Sequence, residues 1–347
     1  MSSFHNLRVK SIVRQTDKAV QVFFEIPLDL KDTFSYEAGQ YITFSKTLNN
    51  EEVRRSYSIS SGPHEDLSVV VKAIEEGVFS NYVNSELQEG DSLEVMPPEG
   101  HFTIDNLTDG SSYCAFVAGS GITPVMSMVK TVLQSNETSK FLLVYGNKSF
   151  AETIFFNELN TLKEEYADRL FIEYICSQTR DQDARFGRID KSIVNFMTKN
   201  KYKELDFDEY FLCGPEQMID TVKGVLLENG IAEEKVKYEL FYSSKEAADV
   251  ESLDGITKLT VQVDDETHHI QMNSDELVLD AILKADIDVP YSCQGGICSS
   301  CIAKVKKGKA VMQKNQILTE GEVEQGLVLT CQSVPQTSEL EVDYDDI

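Results

Sequence analysis

The chain has 347 residues, with 32 Lys and Arg against 58 Asp and Glu and a formal net charge of −26. That length accommodates two or three domains of roughly 100–200 residues, and an acidic chain with no basic tract disfavours nucleic acid and anionic membrane as partners. No apolar run approaches the ~20 residues that cross a bilayer; Met1–Lys10 lacks a signal-peptide pattern, so the seven cysteines point to a reducing cytoplasm.

Residues 1–110 read as an antiparallel β-barrel. Short alternating runs recur at Arg8–Arg14, Ala19–Ile26, Gln40–Phe44, Ser56–Ile59, Leu67–Ile74 and Ser92–Val95, with turn signals between them. Within them lies Arg54-Arg55-Ser56-Tyr57-Ser58-Ile59-Ser60-Ser61, in which an Arg, a Tyr and a Ser are expected to share one strand face. Arg binds phosphate bidentately, Tyr stacks on a flat ring and Ser donates to a ring nitrogen. An exposed polar strand face would have the same composition. Val71-Lys72 leads to Gly77-Val78-Phe79-Ser80, a loop entering a helix, with Ser80 expected at the N-cap and Glu86 and Leu87 inside the helix. Helix N-termini hold pyrophosphate; the plainer reading is an ordinary cap.

Residues 111–242 alternate strand and helix. Strand Tyr113–Ala118 runs straight into Gly119-Ser120-Gly121-Ile122-Thr123-Pro124 and a helix over Val125–Leu133. Strand Phe141–Tyr145, helix Ile154–Glu165, strand Leu170–Ile175, helix Asp190–Thr198, strand Tyr210–Cys213 and helix Glu216–Glu228 follow. The rhythm predicts a parallel sheet with both faces covered. Gly119 and Gly121 sit at the strand-to-helix turn where a dinucleotide pyrophosphate binds, in the pattern G-x-G-x-x-P instead of G-x-G-x-x-G. Cys213-Gly214-Pro215 ends another strand of that sheet, where a buried structural cysteine is the bland alternative.

The small polar stretch Ser243–Ser252 marks a linker, placed at 243–255. The last domain, 256–347, opens on strand Ile256–Asp264, with Leu259, Val261 and Val263 on one face, and continues with a helix near Glu276–Ala285. Then come Cys293, Cys298 and Cys301, spaced C-x4-C-x2-C, and a distant Cys331. This is the plant-type spacing of a [2Fe–2S] cluster. Gly295 and Gly296 let the chain wrap and bring N–H groups toward sulfur. Zinc sites show two close pairs instead, and an odd total of seven cysteines argues against a full disulfide set. His268-His269 falls in a hairpin strand where neighbours face opposite ways, so no histidine metal centre is expected. The acidic tail Glu339–Asp346 reads as a solvated terminus, with docking as the alternative.

Taken together, these residues resemble the ferredoxin–NADP reductase superfamily fused to a plant-type ferredoxin domain, over nearly the whole chain. The resemblance implies a multi-domain protein: an FAD-binding barrel, an NAD(P)-binding α/β domain and a β-grasp-like α+β ferredoxin domain. It implies that, in the R-x-Y-S motif, Arg55 meets the flavin pyrophosphate, Tyr57 packs on the isoalloxazine and Ser58 lies near N5. Val71, Lys72, Gly77, Phe79 and Ser80 belong to the implied flavin site, and Gly119, Gly121, Thr123 and Pro124 to the nicotinamide-nucleotide site. In C-G-P-x-x-M, Cys213 is implied near the nicotinamide, with Gly214, Pro215 and Met218 completing the motif. Glu239 and Phe241 match the terminal acid-x-aromatic, with Phe241 covering the flavin.

FAD is expected over FMN because the helix start after Gly77–Ser80 can hold a second phosphate. Members preferring NADPH carry Ser-Arg after the third strand. Here Cys176-Ser177-Gln178-Thr179-Arg180 displaces the Arg, and the expectation is NADPH, held by Ser177, Arg180 and Arg188, with NADH as the alternative. Reductase first and ferredoxin last is similar to oxygenase reductases of the phenylacetyl-CoA epoxidase type. That order implies electron flow from NADPH through FAD and a [2Fe–2S] cluster to an oxygenase component. Two other readings are a reductase serving several acceptors and a non-catalytic redox sensor. Intact Gly119–Pro124 and Cys213–Met218 motifs argue against the sensor, which needs no hydride donor.

Overall fold

The computed structural model describes residues 4–105, 107–241, 255–315 and 317–347. The expected linker Ser243–Ser252 lies outside them. Phe4–Phe241 form one compact unit, and the described residues after it form a second.

The first unit opens with β1 (His5–Thr16), β2 (Ala19–Glu25), β3 (Tyr41–Leu48), β4 (Glu51–Ser58), β5 (Ser68–Lys72) and β6 (Ser92–Val95). They form a six-stranded antiparallel sheet in the order β4-β3-β6-β1-β2-β5. A bridge from Ile59 to Val69 joins the two edge strands and closes the barrel, which removes the exposed edges of an open sheet. Alternation carries Val20, Val22, Phe24, Ile42, Phe44, Val69 and Val71 into its core. Helix α1 (Val78–Ser85) packs there through Phe79 and Val83.

Helix α1 departs from expectation at both ends. Gly77, not Ser80, is the N-cap; Glu86 is the C-cap and Leu87 lies beyond it. A Cβ on Gly77 would fall 2.4 Å from Ser80 Oγ and 2.5 Å from the Ile74 side chain, so only glycine fits the cap position. Ser80, inside the first turn, turns its hydroxyl back, accepting from the Ile74 N–H and donating to the Gly77 carbonyl, both at 3.3 Å.

The α/β part follows: β7 (Ser112–Ala118), α2 (Ile122–Ser135), β8 (Lys140–Asn147), α3 (Phe156–Glu165), β9 (Leu170–Cys176), β10 (Ala184–Phe186), α4 (Lys191–Phe196), β11 (Glu209–Cys213), α5 (Glu216–Glu228) and β12 (Val236–Glu239). All pairings are parallel, in the order β10-β9-β8-β7-β11-β12. Crossover helices cover the faces, which is why β7, β8 and β11 are nearly continuous apolar runs. Helix α2 begins at Ile122 instead of Val125, placing Thr123 and Pro124 in its first turn. Proline is tolerated there because first-turn N–H groups have no helical partner. The edge strands β10 and β12 add to the strands expected from the sequence.

The second unit comprises β13 (Ile256–Val263), β14 (Glu266–Asn273), α6 (Val278–Lys284), β15 (Ile302–Lys307), β16 (Ala310–Met312), α7 (Glu320–Glu324), β17 (Leu327–Leu329), β18 (Ser333–Pro335) and β19 (Glu339–Asp343). Its mixed sheet runs β14-β13-β19-β15-β17, with β16 and β18 as a separate pair. Leu259, Val261 and Val263 face α6, whose Val278, Leu279 and Ile282 complete the core. His268 and His269 lie in β14, the latter with Nδ1 3.1 Å from Thr260 Oγ1. Among the described residues, no helix is long and apolar enough to cross a membrane.

Candidate functional site

Strand β4 carries the first group. Its alternation puts Arg55 with Tyr57; adjacent Ser58 must face the other way, which corrects the expectation of one shared face. The Tyr57 ring is stacked on Phe79 at 5.8 Å and lies 5.9 Å from Phe44, so α1 and β3 fix its orientation. Burial pushes its phenol pKa up and keeps it neutral. Arg55 is exposed and donates to the Arg54 carbonyl at 2.7 Å, whereas Arg54 is held by Glu52 at 2.6 Å. Helix α1 has no side-chain N-cap, leaving first-turn N–H groups to an external acceptor such as phosphate. An exposed guanidinium, an uncapped helix start and an oriented phenol ring fit a flavin with its phosphates. Val71 is buried beneath them in the barrel core.

Ser58 reaches the far edge of the α/β sheet. Its Oγ donates to Glu239 Oε2 at 3.3 Å. Glu239 ends β12 opposite Cys213 at the end of β11. The Glu239 carboxyl is enclosed although its residue keeps some exposure, and burial raises its pKa from 4.5 to about 8, against the opposing hydrogen bond from Ser58. Burial also raises the Cys213 thiol pKa, and the neighbouring Glu239 adds to the rise. Ser58, Cys213 and Glu239 thus form one enclosed group of neutral proton-bearing side chains near pH 7. Phe241 packs against the edge of the α/β core.

The turn after β7 meets this group. Gly119 has φ +57°, and its carbonyl accepts from Tyr145 Oη at 3.0 Å. A Cβ on Gly121 would lie 2.2 Å from the Cys213 carbonyl oxygen, and one on Gly214 would lie 2.9 Å from Met218 Cε and 3.1 Å from Ala118 N. The two strand-end turns therefore pack backbone to backbone. Thr123 Oγ1 donates to the Ser120 carbonyl at 3.0 Å, and Pro215 is the N-cap of α5. Such a glycine cradle at the carboxyl end of parallel strands fits a dinucleotide.

Lys72, Ser177 and Arg180 each have a defined place around this turn and the loop after β9. A Cβ on Gly119 would be 4.0 Å from Lys72 Nζ, so Lys72 stands beside the nucleotide turn. Partial burial lowers the Lys72 pKa; Lys148 and Lys18 lower it further and Glu152 opposes them. Ser177 donates to the Asn147 carbonyl through N–H at 2.9 Å and through Oγ at 3.3 Å. Arg180 extends along the next loop and stacks over Phe186 at 4.9 Å. Tyr145, which orients Gly119, reads in the sequence only as part of an apolar strand.

In the second unit the cysteines converge. Cys293 is hydrogen-bonded to Cys298 and Cys331, and Cys331 to Cys301. None of the seven cysteines is in a disulfide. Gly295 N–H points at Cys293 Sγ at 3.3 Å, and the bonds from Cys298, Cys331 and the backbone pull the Cys293 pKa down. Gly296, at φ +70°, leaves room for Gln332, whose Nε2 donates to the Gln294 carbonyl at 3.1 Å. Thr330 clamps the Cys301 carbonyl with N–H at 3.1 Å and Oγ1 at 3.0 Å, fixing Cys331 beside Cys301. Among the described residues, no three His, Cys, Asp or Glu side chains form a shell for a single metal ion. A two-iron cluster asks for a different arrangement, with two thiolates to each iron, and four linked sulfurs fit it.

Comparison with known proteins gives three matched domain families. An oxidoreductase FAD-binding domain matches residues 9–104, an oxidoreductase NAD-binding domain 116–224 and a 2Fe-2S iron-sulfur cluster binding domain 261–336. The chain is 38% identical to a component of the 1,2-phenylacetyl-CoA epoxidase of Escherichia coli (strain K12), over 99% of each chain. It is 33% identical to the ferredoxin reductase component of 3-ketosteroid-9-alpha-monooxygenase from Rhodococcus rhodochrous, over 97% of this chain and 96% of that one. Phthalate dioxygenase reductase shares the fold, with a TM-score of 0.63 and 22% identity over 98% of each chain. With an antiparallel barrel, a parallel nucleotide sheet and a four-cysteine unit in that order, the chain belongs to the family of flavin- and [2Fe–2S]-dependent oxidoreductases that are the reductase components of oxygenases.

Proposed function

We propose that this protein takes electrons from NADPH and passes them, through FAD and a [2Fe–2S] cluster, to an oxygenase component of a phenylacetyl-CoA epoxidase-like system in the cytoplasm. The observation that carries electron entry is the Ser58–Glu239 hydrogen bond beside Cys213, where the barrel meets the carboxyl ends of β11 and β12. The choice of acceptor leans on full-length similarity to the Escherichia coli epoxidase component.

FAD, when bound, links a two-electron donor to one-electron carriers. Arg55 and the start of α1 hold its phosphates, and Tyr57, braced by Phe79, supports its ring. Ser58 supplies a hydroxyl at the ring edge and Glu239 holds that hydroxyl in place. Glu239 and Cys213 keep their protons at neutral pH, so no fixed negative charge opposes the arrival of an electron-rich donor. The Gly119–Thr123 turn and Lys72 receive the donor's phosphates, and Ser177 with Arg180 receives its 2′-phosphate. In the second unit the four cysteines bind two irons, while the N–H groups of Gly295 and Ile297 stabilise charge on sulfur.

The test is anaerobic addition of NADPH to the FAD- and iron-sulfide-loaded protein, followed by addition of an oxygenase component encoded beside it. Bleaching of the flavin and cluster absorption, then reoxidation coupled to substrate turnover, is expected. Absence of bleaching by either nicotinamide would refute the reading.

A further inference from the structure

Lys130 is only 2% exposed, although a lysine is almost never so buried without partners. It sits on α2 and is held by two carboxylates, Glu65 at 2.7 Å and Glu158 at 2.6 Å. Glu158 lies on α3, within the same α/β part. Glu65 lies in the barrel, on the loop between β4 and β5. That loop is fastened to α2 at further points: Ser127 Oγ donates to the Ser61 carbonyl at 2.7 Å, and a Cβ on Gly62 would be 3.0 Å from Lys130 Cβ. Tyr36 Oη donates to the Gly62 carbonyl, and the Gly62 N–H to Glu65 Oε2 at 3.0 Å, so the loop is stiff where it meets the helix.

What the latch joins gives it meaning. The loop follows directly from Tyr57 and Ser58. Helix α2 begins at the Gly119–Gly121 turn, and Lys130 stands roughly 12 Å along it at ~1.5 Å per residue. One rigid rod therefore ties the turn that receives the nicotinamide nucleotide to the strand that faces the flavin. None of Ser58, Cys213 or Glu239 lines the cleft of about 1000 Å³ onto which Tyr36, Glu65, Lys130 and Glu158 open.

We infer that Lys130, through its bond to Glu65, is a positioning residue that sets the approach of nicotinamide to flavin. The inference rests on the reading that the nicotinamide gives its hydride to flavin beside Ser58. Two variants separate positioning from stability. Glu65 and Glu158 have similar side-chain exposure, 35% and 38%, and the same charge, but only Glu65 crosses from one part to the other. Glu65→Gln should slow the limiting rate of flavin reduction by NADPH on the order of tenfold, since small misplacements are costly in near-attack geometry. The NADPH dissociation constant should stay within about twofold, and the charge-transfer band of NADP⁺ with the reduced flavoprotein should weaken. Glu158→Gln should leave rate and band unchanged. If Glu65→Gln does not fold, Ser127→Ala cuts a second strut of the same latch and is judged by the same readouts. Equal rates and bands in the unaltered protein and the Glu65→Gln or Ser127→Ala variant would overturn the latch. No bleaching of the unaltered protein would instead remove the reading of hydride entry beneath it.

Discussion

Ser58 and Glu239 stand 181 positions apart in the chain and meet at 3.3 Å, the hydroxyl donating to a carboxyl whose pKa burial lifts to about 8. The contact joins the last residue of β4 to the last residue of β12. A buried carboxylate would be costly in such a place, and the proton that Glu239 retains avoids that cost.

The pH dependence follows in sign. Below pH 4.5 Glu239 is protonated whether the chain is folded or not. Between 4.5 and about 8 the unfolded chain releases the proton and the folded one keeps it, so the contribution to stability falls as pH rises and levels off above about 8. Glu239→Gln removes the dependence. Thermal unfolding from pH 5 to 9 should show a difference between variant and parent that grows with pH in favour of the variant, by on the order of a few kcal/mol. A constant difference would show that Glu239 is already ionised at neutral pH.

Cys298→Ser takes one thiolate from the four-sulfur set. NADPH should still bleach the flavin at the parent rate, while electron transfer to a one-electron protein acceptor such as cytochrome c should fall by more than about tenfold. Coupled turnover at the parent level would place the cluster off the path.

Arg55→Ala should weaken FAD binding by roughly 1.5–3 kcal/mol, the worth of a hydrogen bond to a charged group. That is on the order of ten- to a hundredfold in the dissociation constant. Titration of the flavin-free protein by fluorescence quenching measures it. Undiminished affinity would move the phosphates away from β4.

Arg180→Ala should lower kcat/KM for NADPH about tenfold and leave that for NADH within about twofold. Equal losses with both donors would mean that Arg180 contacts a part of the dinucleotide common to both, and a higher kcat/KM for NADH in the parent would reverse the proposed preference.

The sequence is most legible where burial is two-sided. Strands β7, β8 and β11 are nearly continuous apolar runs because parallel strands under crossover helices have no solvated face. Strands β10 and β12 are hard to see because edges are short and mixed in character. The C-x4-C-x2-C spacing is readable because ligand chemistry restricts it. The N-cap of α1 misleads because Ser80 looks like a cap by type, whereas the crowding of Ser80 Oγ and the Ile74 side chain against position 77 is visible only in three dimensions. Lys130 reads as an ordinary helix lysine; nothing local announces that Glu65 and Glu158 enclose it.

The near-contact of Gly121 with the Cys213 carbonyl, 2.2 Å from where a methyl would stand, also bears on redesign. A side chain at 121 meets the Cys213 backbone, and one at 214 is strained by φ +156° and stands 3.1 Å from Ala118 N, so these two positions form a keystone that a variant library disturbs before it alters any recognition. The Ser177–Arg180 loop has no such restriction, as it bends away over an exposed Phe186. On the proposed role of Ser177 and Arg180, an engineer seeking a different nicotinamide should hold the keystone fixed and diversify the loop.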